Sequence, residues 1–216
     1  MARCDDVLSL LGIVKLATTE QIARMYFSNH LSPSKRASEC LTSLAKQKLV
    51  EGEIIKLGRP KIWRLTKKGR DRLGISFVSL PFLTRQTNHR LAITDYYIHL
   101  CLTEKPLFFI HEYREPMENG SIFSPDAFFV WQRKAYFLEI QLTPISSVNW
   151  RKKWQVYERF YRYIEKRTFQ KAKLPVAPIV HVASKQTRET IGSPTGVEVI
   201  IFSPSEGENQ SLEEFI

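Results

Sequence analysis

Cysteine is scarce in this 216-residue chain: there are three, Cys4, Cys40 and Cys101. They are widely separated, odd in number and set in helical patterns, so the sequence predicts neither a disulfide framework nor a zinc-ligand spacing. Long apolar runs are missing as well, which excludes a membrane-spanning helix and reads as a soluble globular protein. The opening stretch MARCDDVLSLLG has no small-residue cleavage site, so no signal peptide is expected and the cytoplasm is the expected compartment. No glycine-rich phosphate loop and no serine-centred nucleophile motif occurs. The five histidines, His30, His89, His99, His111 and His181, are scattered and read as packing or surface residues. Carboxylates and cations are left as the carriers of any chemistry.

Positive charge is what the chain has in excess, with a formal net charge of +10. Residues 1–75 hold 15 Lys/Arg against 7 Asp/Glu, and residues 151–173 hold 9 against 2. Concentrated positive charge favours a polyanion, through phosphate contacts and counterion release. The plainer alternative is a merely soluble basic surface.

The N-terminal third carries a run of helix signals. Thr18 followed by Gln21 is a capping-box pattern that predicts a helix to about Phe27, and Ser32-Pro33 predicts a second helix to about Lys48. In that second helix Ala37, Leu41 and Leu44 form the buried stripe. Lys35, Arg36, Glu39, Thr42, Ser43 and Lys46 then point outward, a face of short hydroxyls and long cations suited to a major groove. Two β-prone runs, 53–57 and 61–65, flank the turn Gly58-Arg59-Pro60, and Thr66 caps a closing helix to about Leu73. With a first helix at about Asp5–Lys15, this order resembles a winged helix-turn-helix DNA-binding domain over residues 1–75. The resemblance implies double-stranded DNA as partner, with Lys35 and Arg36 as first contacts and Arg59 and Lys61 of the wing reaching phosphate or minor groove.

Residues 76–88 are too apolar for a free linker and read as a packed connector. Residues 89–216 read as a second domain with elements in the order α-β-β-β-α-β-α-β, hence a mixed sheet with helices against its faces. The expected fold class is therefore two-domain α+β or α/β. Within the second domain SPDAFFVWQRKAYFLEIQLT (residues 124–143) reads as a hairpin turning at 132–134. Strand alternation puts Glu139 and Gln141 on one face and Leu138, Ile140 and Leu142 on the other, so the polar pair is expected on the solvent side. Folding the hairpin brings Asp126 beside Glu139. Two converging carboxylates could hold Mg2+ or Mn2+, which would activate water and neutralise phosphate.

Pro125-Asp126 followed by Glu139-Ile140-Gln141 within an αβββαβ set resembles the PD-(D/E)xK nuclease superfamily, with Gln141 where its lysine usually stands. That likeness implies a restriction-endonuclease-like mixed sheet. It implies Asp126 and Glu139 as metal ligands, Gln141 orienting water, and Asp95 or Glu112 as the acid that completes the site. The winged helix, His89, the PDA…ExQ hairpin and the Lys153…Tyr157 helix together resemble the replication-relaxation family of bacterial mobile elements. The resemblance implies a role in plasmid or integrative-element replication, relaxation or transfer.

A long helix expected at 147–166 carries Trp150, Trp154, Tyr157, Tyr161 and Ile164 as an apolar stripe. Its other face carries Arg151, Lys152, Lys153, Arg159, Arg162, Lys166 and Arg167, a second DNA-binding surface from which Lys153 could reach the hairpin in place of the missing lysine. Three readings follow: a DNA-binding protein of a mobile element that need not cut; a Mg2+- or Mn2+-dependent endonuclease using Asp126, Glu139, Gln141 and Lys153; and a module recruiting a relaxase or replication initiator. A homodimer is left open, and no membrane association is expected.

Overall fold

The computed structural model describes residues 2–54, 60–77, 81–82, 86–164 and 179–202. It is a mixed α+β structure, and no helix among the described residues is long and apolar enough to cross a membrane. The chain divides into two compact units, 1–103 and 104–216.

The N-terminal unit runs α1 (Ala2–Val14), β1 (Ala17–Thr18), α2 (Thr19–Tyr26), α3 (Pro33–Lys46), β2 (Val50–Glu53), β3 (Ile62–Leu65), α4 (Lys67–Leu73) and α5 (Thr87–Thr103). Its sheet has the order β1-β3-β2, antiparallel throughout. The Thr18 capping box forms in both directions, since the Gln21 amide N–H donates to the Thr18 hydroxyl and the Thr18 N–H donates to the Gln21 side chain. Pro33 opens α3, although the Ser32 side chain makes no cap bond. Ala37, Leu41 and Leu44 are buried as the periodicity requires, joined by Cys40. The first strand of the expected wing lies earlier than the sequence suggested, at Val50–Glu53, because Val50 pairs with Leu65. The expected strand end and turn at 55–59 lie outside the described residues.

Two expectations change here. Helix α5 groups with the N-terminal unit instead of opening the second domain at His89. Gln21 Nε2 donates to Leu91 O at 2.9 Å, the Thr94 hydroxyl donates to Leu16 O at 2.7 Å, and Arg24 pairs with Asp95. Phe82 of the expected connector packs into this same unit, where the Arg64 guanidinium lies 4.0 Å over its ring. Secondly, Cys4 and Cys40 form a disulfide with Cα atoms 5.9 Å apart, where the sequence suggested none. They sit on α1 and α3, which the fold packs together, a proximity that spacing along the chain cannot reveal.

The second unit contains β4 (Phe108–His111), a short ladder of β5 (Glu115–Pro116) with β6 (Ile122–Phe123), then β7 (Ala127–Trp131), β8 (Lys134–Gln141), α6 (Ser147–Ile164), β9 (Ile179–Ser184), α7 (Arg188–Ile191) and β10 (Val199–Phe202). The five-stranded sheet has the order β10-β9-β8-β7-β4, and β7 alone runs against the other strands. The β7–β8 turn is made by Gln132 and Arg133, both left-handed at φ 47° and 62°. That conformation matches the twist of a two-residue hairpin. The parallel step from β8 to β9 needs a long crossover, and α6 lies within it.

Helix α6 covers one face of the sheet. Trp150, Trp154, Tyr157, Phe160 and Tyr161 pack with Phe123, Phe128, Phe137, Val180 and Val182. Phe137 and Glu139 share a face of β8, so Glu139 lies on the side that α6 covers, contrary to the expected solvent side. Leu138 and Ile140 on the opposite face are buried too. A central strand covered on both faces gives alternation no wet side to report.

Two stability predictions follow. Gly69 occupies the first turn of α4 beneath the Leu49 carbonyl, where a Cβ would lie 2.1 Å from that oxygen. Gly69→Ala should cost about 2 kcal/mol in urea unfolding through forced backbone movement; an unchanged midpoint would refute the packing. Conversely, Gln132→Asn with Arg133→Gly suits the left-handed turn and should add about 1 kcal/mol by the same measurement. A loss of stability would contradict the turn geometry.

Candidate functional site

The hairpin brings the two acids together. Ala127 pairs with Leu138, so Asp126 stands opposite Glu139 at the mouth of the β7–β8 ladder. Its backbone is fixed from both sides: the Asp126 N–H donates to Leu138 O at 3.0 Å, and Asp126 O accepts from the Glu112 N–H at 2.7 Å. Its side chain is fixed too, because Oδ2 accepts from the Ile140 N–H at 2.7 Å.

Glu139 is 4% exposed, and α6 supplies its partners. Lys153 Nζ donates to Oε2 at 2.5 Å and the Tyr157 hydroxyl donates to Oε1 at 2.8 Å. Residues four apart lie on one helix face, so Lys153 and Tyr157 reach the same carboxylate from successive turns. Burial pushes the Glu139 carboxyl above its ordinary value; Lys153 pulls it back and Asp126 adds to the push. For Lys153 burial opposes the charge, but Glu139 and Asp126 outweigh it and hold the ammonium above its ordinary value. Burial, followed by Glu139, raises the Tyr157 hydroxyl far enough to keep it a donor.

The other expected members disperse. Gln141 Nε2 donates to Thr143 O at 2.7 Å. Asp95 is paired with Arg24 within the N-terminal unit. Glu112 adjoins Asp126 through its backbone, while its carboxylate lies 3.7 Å from His111 Nδ1. Tyr157, read from sequence as part of an aromatic stripe and of the Lys153…Tyr157 helix but given no role in the site, is the member that reasoning missed as a site residue; its four-residue spacing from Lys153 was the available signal.

The set does not fit a divalent cation as it stands. Both oxygens of Glu139 and one of Asp126 accept protein hydrogen bonds, whereas Mg2+ requires several oxygen ligands in near-octahedral order. Among the described residues no group of three or more acidic, histidine or cysteine side chains could hold a metal.

On α3, Lys35, Arg36, Thr42, Ser43 and Lys46 are all exposed, and a shallow groove is lined by Lys35, Ser38, Glu39, Thr42, Ser43 and Lys46. Arg36 is partly neutralised by Glu39 at 3.1 Å. Lys61 lies with Nζ 4.4 Å from the Trp63 ring centroid, and Arg59 falls outside the described residues. On α6, Arg151 and Lys152 are exposed beside the half-buried Lys153; Lys166 and Arg167, and the side chain of Ile164, lie outside the described residues.

A two-unit α+β chain with a mixed five-stranded sheet and an acid–lysine cluster under its crossover helix is the class these features define. The model of the replication-relaxation family matches residues 8–175, well over half of the chain, and the chain belongs to that family. No curated protein and no solved structure matches it.

The raised Glu139 value carries a pH signature. A group bound more tightly to its proton when folded stabilises the fold fully below the ordinary glutamate range, and that contribution is lost as pH rises through the raised folded value. Glu139→Gln removes the titration, so the stability of the wild type relative to this variant should fall across that window in urea unfolding at successive pH values. A difference that does not vary with pH would contradict the assignment.

Proposed function

We propose that the protein binds duplex DNA in the replication or relaxation of a bacterial mobile element, without cutting it. The N-terminal unit acts as a winged helix, with α3 entering the major groove. The second unit is a nuclease-like domain that retains the fold and adds the exposed cations of α6. The order helix, strand, helix, helix, strand, strand in the first unit supports the winged-helix reading, as does its β1-β3-β2 sheet. For the second unit, support comes from three antiparallel strands adjacent in the sheet, β4, β7 and β8, then a crossover helix and a parallel strand. Family membership supports the setting.

One observation carries the reading: α3 buries Ala37, Leu41 and Leu44 and turns Lys35, Thr42, Ser43 and Lys46 outward. A helix with that face can meet phosphates with its cations and base edges with its hydroxyls. Each phosphate neutralised releases counterions, so binding must weaken steeply with salt.

Lys35→Ala with Lys46→Ala alters exposed side chains and leaves the helix packing intact. In gel shifts on plasmid fragments at several salt concentrations the variant should bind at least about tenfold more weakly, with a log–log salt slope shallower by about 2. Equal affinity and slope for wild type and variant would overturn the proposal.

A further inference from the structure

We infer that Lys153 is the built-in cation of the Asp126–Glu139 cluster, standing where a divalent ion would have to sit, so that the site takes Mg2+ or Mn2+ only when this lysine is removed. The inference goes beyond the DNA-binding proposal and does not depend on it, since it concerns the second unit alone and is read by metal binding.

Three observations carry it. The first is saturation. Glu139, 4% exposed on the central strand, has one oxygen on the Tyr157 hydroxyl at 2.8 Å and the other on Lys153 Nζ at 2.5 Å. A hard cation would have to displace at least one of these donors before it could use the carboxylate. The second is fixation of the acids. Asp126 is tied to β8 by the Ile140 N–H at 2.7 Å, so the pair does not swing outward to ligate an ion elsewhere.

The third is the rigidity of the helix that delivers the ammonium. Lys153 lies between Trp150 and Trp154, and both indoles are anchored: Trp150 Nε1 donates to Gln186 Oε1 at 3.1 Å, and Trp154 Nε1 donates to Ile191 O at 2.6 Å. Lys153 Nζ also lies 5.4 Å from the Trp150 ring centroid, a further attraction for the cation. Withdrawing it would leave a buried carboxylate without its counter-charge, a strongly unfavourable state. A covalently attached monovalent cation thus does locally what a diffusible divalent one does in an open acid pair. It lacks the vacant coordination positions on which water or phosphate could bind.

The test uses the full chain and Mn2+ alone as probe, followed by electron paramagnetic resonance of the free ion, with Mg2+ as competitor. Wild type should show no stoichiometric site at up to about millimolar Mn2+, whereas Lys153→Met, which keeps an apolar side chain beside Trp150, should gain one site per chain. That site should be at least about tenfold tighter than any wild-type uptake and should vanish when Asp126→Asn is added. Lys153→Arg retains the charge and should remain silent. Should Lys153→Met fail to fold unaided, Mn2+ should restore its near-ultraviolet circular dichroism. The inference is overturned by one Mn2+ per wild-type chain that is lost in Glu139→Gln. It is equally overturned by a folded Lys153→Met protein that binds none, or by an unfolded one that Mn2+ does not restore.

Discussion

A carboxylate on the covered face of a central strand is the constraint around which the second unit is arranged. Leaving Glu139 ionised and unpartnered among aromatic rings would cost several kcal/mol, so the fold has to bring donors to it. The strand itself offers none, because its neighbour on the same face is Phe137 and Gln141 turns to Thr143. The crossover helix supplies both. Its register is then set twice over, by Lys153 and Tyr157 at the carboxylate and by Trp150, Trp154, Phe160 and Tyr161 in the core. A polar contact specifies position where aromatic packing alone would tolerate a small slide. Indole hydrogen bonds to Gln186 and Ile191 extend this fixation to the segment after β9.

The N-terminal unit answers a different problem, keeping one helix face bare while burying the rest. Helix α3 is held from behind by its apolar stripe and by the disulfide from Cys40 to α1. Close approaches nearby reinforce this: Gly69 lets the first turn of α4 pass directly under the Leu49 carbonyl, and Thr66 ties that turn to residues 48 and 49. Helix α5 completes the unit through Gln21, Arg24 and Leu16. Burial pushes the Asp95 carboxyl up against the pull of Arg24 and Gln21, which marks it as part of an internal brace.

Signals written within a few residues were legible in the sequence. The Thr18–Gln21 box, the α3 stripe, the Thr66 cap and the hairpin over 127–141 each depend on neighbours along the chain, and each formed. Signals requiring knowledge of what lies above or beside an element were not. Alternation correctly paired Glu139 with Gln141 on one face yet could not say that α6 covers that face. The Lys153–Glu139 approach was legible as a reach from the helix, whereas its closure by Tyr157 needed the helix's rotation. Helix α5 is buried through most of the stretch from Arg90 to Leu100, so it offered no polar face from which its unit could be read. The Cys4–Cys40 bond lay hidden for the same reason, since only the packing of α1 on α3 makes it visible.

The closed cluster and the proposed grip on DNA are compatible on electrostatic grounds. An open acid pair presents two negative charges, which repel phosphate unless a metal ion is bound to invert the local field. With Lys153 paired to Glu139, at most one of the two negative charges is left uncompensated. Arg151 and Lys152, exposed on other faces of the same helix, add positive charge to the surface of this unit, which the paired cluster no longer opposes with two bare carboxylates. Under the proposed reading, a domain of nuclease-like form can hold a phosphate backbone without recruiting an ion. What it gives up is the Lewis acid that would activate water, so turning the lysine inward favours holding DNA over hydrolysing it.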